Sequence, residues 1–171
     1  SVSGLQAGNE YVAVLLASND LGHVSSSVPV SFATGGACYV ATNGNDSAAG
    51  TASAPFLTIA HAISAATVGD TIFVTPGVYG ITAEIAVDKV VSILGTTGNP
   101  EDVIVRRTSG SVRVFKISAD ALVAGLTVEN GDYPAQNFQS SRANCGGGGI
   151  YMTAGTVSNC VIRGNMVNAD T

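Results

Sequence analysis

The sequence predicts an all-β fold in which short strands stack as the successive coils, or rungs, of a solenoid. Only 11% of the residues are charged, against about 25% in ordinary globular domains, and tryptophan is absent. Small and β-branched residues are abundant; β-branched side chains pack well on a pleated strand, and glycine allows tight corners. Strand candidates also repeat, with starts at Thr71, Val91 and Val112. A repeat of about 20 residues or more is typical of stacked architectures.

The strand candidates are short apolar runs separated by turn residues such as Asn130-Gly131 and Gly164-Asn165. They are Thr71–Val74, Val91–Leu94, Val103–Arg107, Val112–Ile117, Leu122–Val128, Gly149–Met152 and Val157–Ile162. The apolar triplet Val123, Leu126 and Val128 recurs as Val157, Cys160 and Ile162. We therefore expect these two segments to lie on neighbouring rungs, about 4.8 Å apart as parallel strands are.

The first 34 residues predict two antiparallel strands instead of a rung. An apolar run from Tyr11 to Ala17 ends at the turn residues 18–22, and a second strand covers residues 28–32. Pro29 has no N–H to donate, which indicates an edge strand or a bulge. The pattern GL-x-x-G-x-x-Y followed by A-x-N-x-x-G resembles the end of a fibronectin type III domain. The resemblance implies that residues 1–34 are the last two strands of such a domain, joined through a linker at residues 35–37.

The most specific pattern lies between residues 38 and 79. It reads YV-x-x-x-G-x-D, then G-T-x-x-x-P-F-x-T-I, then G-D-T-I-x-V-x-P-G-x-Y. Between the last two motifs the spacing predicts a helix over about 58–66, with Thr58 as its N-cap and an apolar face of Ile59, Ala62, Ile63 and Ala66. The whole resembles the N-terminal segment of pectate-lyase-like right-handed parallel β-helix proteins. The resemblance implies that residues 38–171 are the N-terminal part of such a helix, whose open end the short α-helix covers.

The C-terminal motifs bear on where the protein is located relative to the cell. Four glycines, 146–149, precede Ile150-Tyr151, and Asn159-Cys160 and Gly164-Asn165 follow. This pattern resembles rungs of bacterial surface proteins of the same superfamily, which implies an extracellular or cell-surface protein. The chain starts at Ser1 without a signal peptide, so we infer export from the resemblance. The longest apolar run, Tyr11 to Ala17, is far shorter than the roughly 20 residues of a membrane-spanning helix.

The charge balance argues against two classes of partner. The formal net charge is −5, and the only lysines are Lys89 and Lys116. Nucleic-acid binding needs a basic stripe that displaces counterions, and anionic lipid needs a basic surface. We expect neither partner.

The superfamily includes polysaccharide lyases and hydrolases, which need carboxylates that converge on one face of the rungs. The acids here are isolated in the sequence: Asp70, Asp88, Glu101, Asp102, Asp120, Glu129 and Asp132. No catalytic residue is therefore predicted, and the prediction leans away from an enzyme.

Several basic and aromatic residues are candidates for ligand contact. Arginines on predicted adjacent rungs could bind the carboxylate of an acidic sugar, or they could be solvated partners of Glu101 or Asp102. The long polar loop at residues 132–144 could contact a ligand or be a mobile excursion between rungs. The candidates are Arg106, Arg107, Arg113, Tyr133 and Phe138.

Two further features have alternative interpretations. Cys145 and Cys160 flank one turn and one strand, so they could form a disulfide, in which case Cys38 would have no cysteine partner. Alternatively, all three cysteines could be buried thiols. The loop with Asn43, Asn45 and Asp46 could hold Ca²⁺, although a turn built on local hydrogen bonds is favoured. No metal-ligand spacing is recognised, and the glycine run indicates a close pass between rungs instead of a phosphate site.

These observations favour a structural or adhesive β-helix protein of the cell surface, with itself or a surface polysaccharide as partner. Self-assembly into filaments through open ends is one version of this hypothesis. The alternatives are a polysaccharide-binding module and a fragment of a lyase or glycosidase whose active site lies outside this chain.

Overall fold

The computed structural model describes residues 9–14, 16–22, 24–134 and 146–168. In these residues short strands dominate, with one α-helix, α1 (Ile59–Ala65), and one 3₁₀ turn (Pro100–Asp102). The strands are β1 (Glu10–Ala13), β2 (Leu16–Ser18), β3 (Val24–Ser26), β4 (Val30–Ala33), β5 (Ala37–Val40), β6 (Thr71–Val74), β7 (Gly77–Ile81), β8 (Ile85–Val87), β9 (Ser92–Gly95), β10 (Val103–Arg107), β11 (Phe115–Ile117), β12 (Leu122–Ala124), β13 (Thr127–Glu129), β14 (Asp132–Pro134), β15 (Ile150–Met152), β16 (Thr156–Ser158), β17 (Val161–Arg163) and β18 (Met166–Asn168).

Three parallel sheets run along a solenoid. The first sheet has the order β5-β6-β9-β12-β16, the second β7-β10-β13-β17 and the third β8-β11-β15. The chain visits the three sheets in turn and then returns to the first one rung further on. In the third and fourth rungs β14 and β18 add a further parallel pair. The predicted all-β fold of stacked parallel strands with one short helix is therefore confirmed.

The register places like residues above one another inside the solenoid. Ile72, Ile93, Val123 and Val157 are consecutive partners in the first sheet, and the first three are fully buried. Burial of each such side chain contributes roughly 1.5–3 kcal/mol. The predicted stacking of the triplet is also confirmed, because Val123 pairs with Val157 and Val128 with Ile162.

The rungs differ in length, which corrects one prediction. Thr71, Ser92, Leu122 and Thr156 are successive partners in the first sheet, so the rungs take 21, 30 and 34 residues. The predicted rung start at Val112 is wrong. The nearby strand, β11, lies in the third sheet of the rung that begins at Ser92, because the segments 96–102 and 108–114 lengthen that rung at its corners.

Helix α1 covers the N-terminal end of the core, as predicted. The side chains of Ile59, Ala62 and Ile63 are buried against the first rung. Thr58 is the N-cap, and its hydroxyl accepts a hydrogen bond from the His61 backbone N–H at 3.2 Å. No helix in the described part of the chain is long and apolar enough to cross a bilayer.

Asp46 fixes the start of this helix. One carboxylate oxygen accepts hydrogen bonds from the backbone N–H groups of Leu57 and Thr58, and the other accepts from the Thr58 hydroxyl at 2.8 Å. Burial raises the pKa of Asp46, but these hydrogen bonds and the nearby His61 outweigh it and hold the pKa below its ordinary value. The final Asp of the YV-x-x-x-G-x-D motif therefore has a structural role in seating the cap.

Lys89 fixes the other end of the helix. Its ammonium group donates to the backbone carbonyls of Ile63, Ser64 and Ala66 at 3.0, 2.8 and 2.8 Å. Carbonyls at a helix C-terminus have no partner within the helix and carry partial negative charge. Lys89 thus joins the cap to the turn between the first two rungs.

The segment before the solenoid is an antiparallel hairpin, as predicted, although its strands differ from the predicted ones. The first predicted strand is divided into β1 and β2, the second begins two residues later as β4, and β3 was not predicted. β1 pairs with β4, and β2 pairs with β3 around a turn in which the Leu21 N–H donates to the Asn19 side chain. Pro29 lies in the gap between β3 and β4. Large apolar side chains on the hairpin are exposed: Val12, Val14, Leu16, Leu21, Val24 and Val28.

The linker is anchored to the first rung by Asp70. Its carboxylate accepts hydrogen bonds from the Gly36 N–H at 2.6 Å and from the Thr67 N–H at 2.8 Å. Gly35 lies so close to the turn that a Cβ there would be 1.8 Å from the Gly69 carbonyl oxygen. Burial raises the pKa of Asp70, but its hydrogen bonds with Thr67 and Gly36 and the charge of Lys89 outweigh burial and lower the pKa.

Replacing Lys89 with Met should destabilise the protein by about 1–3 kcal/mol, because three carbonyls at the helix end lose a charged donor. Chemical denaturation followed by far-UV circular dichroism measures the change. Lys116→Met is the matched control, since Lys116 contacts no carbonyl in the described residues. Equal stability of the two variants would contradict the capping role.

Replacing Asp70 with Asn should lower stability at pH 7 by about 1 kcal/mol, because the amide can accept only one of the two N–H groups. The folded-state pKa of Asp70 is lowered, so the stabilisation is fully present above its ordinary value of 3.8. It is lost as the pH falls from about 4 through the lowered pKa. Wild type and Asp70→Asn should therefore converge in melting temperature below pH 4. The exposed Asp88, replaced by Asn, is the control; a constant gap for Asp70→Asn down to pH 2 would be inconsistent with this linkage.

Candidate functional site

A cluster of charged and aromatic side chains lies on the outside of the solenoid at the third sheet. Its centre is Arg113, which immediately precedes the buried Val114 and Phe115 and is only 3% exposed. Its Nε lies 2.8 Å from a carboxylate oxygen of Glu84, the residue that precedes β8 on the neighbouring rung. A buried guanidinium needs such a counter-charge, because removing a charge from water is costly.

Two tyrosine rings flank this guanidinium. The Arg113 Cζ lies 3.7 Å from the ring centroid of Tyr133 in β14 and 4.7 Å from that of Tyr151 in β15. Both distances are in the range of cation–π interactions, which contribute about 0.5–2 kcal/mol each. Tyr151 is also the register partner of Lys116 in β11. Residues from three successive rungs thus meet in this cluster.

The cluster borders an open cavity of about 290 Å³. The lining contains two cations, Arg113 and Lys116, and one carboxylate, Glu84, so its formal charge is +1 on a chain whose net charge is −5. Tyrosine presents an apolar face and a polar edge to the same space. The lining residues are Glu84, Ser111, Val112, Arg113, Lys116 and Tyr133.

A larger groove of about 380 Å³ lies between the start of α1 and β7. Its lining is mainly apolar and backbone, with Leu57 and Ile59 on one side and Val78 and Ile81 on the other. The charged residue in this lining is Glu84, which already binds Arg113. The groove therefore offers less chemistry than the tyrosine-lined cavity.

The comparison with protein families supports the fold. A family model described as "Protein of unknown function (DUF1565)" matches residues 42–119, which is less than half of the chain. The match covers the cap helix and the first two rungs, and this family is associated with β-helix proteins. No curated protein and no solved structure matched the chain.

The chain is a parallel β-helix protein. Both the stacked parallel sheets and the family match fit this description. The description of the matching family gives no activity, so the chemistry of this β-helix has to be argued from its own residues.

Of the candidate ligand residues that the structure describes, the β-helix brings together Arg113 and Tyr133. The three arginines lie in one rung, not on adjacent rungs, because the turn at Gly110 leads from β10 to β11 within that rung. Arg107 lies 3.8 Å from Asp132 and donates to the Asn130 and Gly110 carbonyls. Phe138 lies outside the described residues.

Arg106 belongs to a ladder of alternating charge on the second sheet. Arg106, Glu129 and Arg163 are consecutive register partners, and Arg163 also donates to Glu101 at 2.9 Å. The hydrogen bonds from Arg163 to Glu129 and Glu101 raise the pKa of the guanidinium. Arg163, and not Arg106 or Arg107, is therefore the partner of Glu101. The ladder pairs opposite charges on neighbouring strands, which favours this register.

Several carboxylates of the β-helix have structural partners. Glu84, Glu129 and Asp132 each face an arginine. Asp46 and Asp70 accept backbone hydrogen bonds at the cap and at the linker. In the described ranges no group of three His, Cys, Asp or Glu residues could hold a metal ion. In the Asn43–Asp46 loop, the Asn45 side chain accepts a hydrogen bond from the Ser47 N–H, and the Asp46 carboxylate is already hydrogen-bonded at the start of α1. These local hydrogen bonds favour the turn interpretation over a Ca²⁺ site.

Cys38 and Cys160 are half-buried beside the core, and no disulfide joins the two. Burial raises the pKa of both thiols, and the nearby Asp70 raises the pKa of Cys38 further. In the thiol form both therefore have low reactivity at neutral pH. Cys145 lies outside the described residues, so its predicted disulfide with Cys160 stays a prediction.

The glycine run passes close to the next rung, as predicted. A Cβ at Gly148 would lie 1.9 Å from the Met166 carbonyl oxygen, and one at Gly149 would lie 2.6 Å from the Asn165 side chain. Asn165 accepts from the Gly131 N–H at 2.8 Å and donates to the Val128 carbonyl at 2.9 Å. The glycines thus allow the two rungs to approach closely, and the Asn165 hydrogen bonds join them at this corner.

Glu84, Lys116 and Tyr151 were not among the candidate ligand residues. Glu84 and Lys116 are 32 residues apart in the sequence, and Lys116 and Tyr151 are 35 apart, so they meet only because the rungs stack in one register. The motif that ends in Ile150-Tyr151 was recognised from its glycines, but it gave no indication of a tyrosine beside Arg113.

Proposed function

We propose that this β-helix belongs to an extracellular or cell-surface protein with a structural or adhesive role, and that it contacts saccharides through the Arg113–Tyr133–Tyr151 cluster. The observation that carries the proposal is the guanidinium that contacts two tyrosine rings, one of which, Tyr133, lines the open cavity. Such a site suits binding more than turnover, because its one carboxylate is committed to Arg113.

The chemistry of the cluster suits a sugar ring. The C–H groups of a pyranose can lie on an aromatic face, while its hydroxyls can bond to the polar groups around it. Tyrosine supplies such a face at a low cost in conformational entropy. Arg113 contacts both rings, and the strands that carry them are paired with neighbouring strands, so the fold favours a preorganised surface.

The surface location rests on the sequence resemblances. The cap motif resembles that of pectate-lyase-like right-handed β-helix proteins, and the glycine-rich rung motif resembles rungs of bacterial surface proteins of the same superfamily. The observed cap and the close rung contact at Gly148 are compatible with both motifs. For residues 9–34, the antiparallel hairpin with exposed apolar residues supports an origin in a fibronectin type III-like domain, whose other strands would cover those side chains.

Self-association is a further part of the proposal. In the described residues, the strands of the fourth rung pair on one side only, and Ile162, Met166 and Val167 are exposed there. Such an edge can pair with another strand, either from a further rung or from a second copy. Since α1 covers the opposite end of the core, contact through the fourth rung is favoured over contact through both ends.

A polysaccharide-binding module without an adhesive role, and a fragment of a lyase or glycosidase, remain the alternatives. The enzyme would need its active site outside this chain, since the carboxylates of the cluster and of the charge ladder are bound to arginines. Turnover of a polysaccharide by the intact protein would favour that alternative.

Tyr133→Ala and Tyr151→Ala should each weaken saccharide binding about tenfold or more, because each removes one ring face. A glycan array followed by calorimetry with a bound glycan measures the loss. Tyr39→Ala is the matched control, because Tyr39 stacks on Phe73 in the first sheet, away from the cluster. Circular dichroism should first show that all three variants are folded. Unchanged binding by both cluster variants, or no glycan bound by wild type, would contradict the proposal.

A further inference from the structure

Nearly all the cations of the described residues have a partner. Each arginine there faces a carboxylate, and Lys89 donates to three carbonyls. Lys116 is different: in the described part of the chain its ammonium group has neither a carboxylate nor a carbonyl within bonding distance. A cation without an internal partner is available to a ligand.

Lys116 lies next to the tyrosines that would contact a bound saccharide. It occupies the centre of β11, directly opposite Tyr151 in the register, and it lines the same cavity as Arg113 and Tyr133. Its side chain is only partly buried, whereas Arg113 is almost completely buried and is neutralised by Glu84. The two cations therefore have different roles: Arg113 positions the rings, and Lys116 faces the cavity with an uncompensated charge.

The net charge of the chain also affects how strongly an anionic ligand is attracted. A net charge of −5 disfavours the approach of a polyanion, so non-specific attraction to acidic polymers is weak. A local charge of +1 in the cavity can act on an anionic group only at short range, because salt screens charges beyond about 8–10 Å. Selectivity for an anionic ligand would then depend on one residue.

We propose that Lys116 makes this site selective for saccharides that carry an anionic group, a carboxylate or a sulfate ester, next to the sugar ring that lies on Tyr133. This inference rests on the proposed saccharide contact and adds the chemical class of the ligand. The ammonium group donates charge-assisted hydrogen bonds to the anionic oxygens, while the tyrosines hold the ring. No bond is made or broken.

The test uses polymers that differ in charge but share a backbone. Alginate is compared with carboxyl-reduced alginate, and dextran sulfate with dextran, on wild type, Lys116→Gln, Lys116→Arg and Arg106→Gln. Wild type should bind at least one charged polymer about tenfold more tightly than its neutral counterpart. Lys116→Gln should remove this preference and leave binding of the neutral form unchanged, while Lys116→Arg should keep it. Arg106→Gln removes an equally charged but remote side chain and should have no effect.

The outcomes of this experiment distinguish a failure of the Lys116 role from a failure of the proposed saccharide contact. Preference for alginate alone identifies a carboxylate, and preference for dextran sulfate alone identifies a sulfate ester. Equal binding of charged and neutral forms by wild type overturns the role of Lys116 but leaves the saccharide contact intact. Equal losses of affinity for the charged polymer in Lys116→Gln and Arg106→Gln also overturn the role of Lys116. The attraction would then come from the overall charge of the protein and not from this site. If none of the four polymers binds and the glycan array is also empty, both proposals fail.

Discussion

Backbone pairing between successive rungs is the constraint on which the rest of this structure depends. Each strand of the three sheets uses its N–H and C=O groups on its neighbours, so a fixed register is imposed on every rung. Inside, that register stacks Ile72, Ile93 and Val123 into one continuous core. Outside, it sets Arg106 against Glu129 and places Tyr151 beside Lys116. Core, charge ladder and candidate site are therefore consequences of the same pairing.

A stack of rungs also needs its exposed end covered. The seven residues of α1 are too few for an isolated helix to be stable in water. Its buried apolar face supplies part of the stability, and the polar groups of Asp46 and Lys89 hold its two ends. Asp70 secures the preceding linker to the same rung. Three charged side chains of a sparsely charged chain are thus used to seat the cap.

Sequence patterns predict the local elements of this fold well and the rung lengths poorly. The helix at 59–65 and the stacking of Val123 on Val157 follow from apolar spacing and a capping residue. Val112 was wrong as a rung start, because corner segments of different length leave no fixed period. Arg113 and Tyr133 were recognised singly. Their meeting with Glu84 and Lys116 depends on the register between rungs, which a single sequence does not reveal.

The central claim is that this register brings Glu84 of one rung onto Arg113 of the next. A double-mutant cycle with Glu84→Gln and Arg113→Met, measured by chemical denaturation, tests it most directly. A buried ion pair across neighbouring rungs predicts a coupling energy of about 1–3 kcal/mol, since either single variant leaves a charge without its partner. Effects that add within about 0.5 kcal/mol would show that the two side chains do not meet, and the site built around Arg113 would then have no basis.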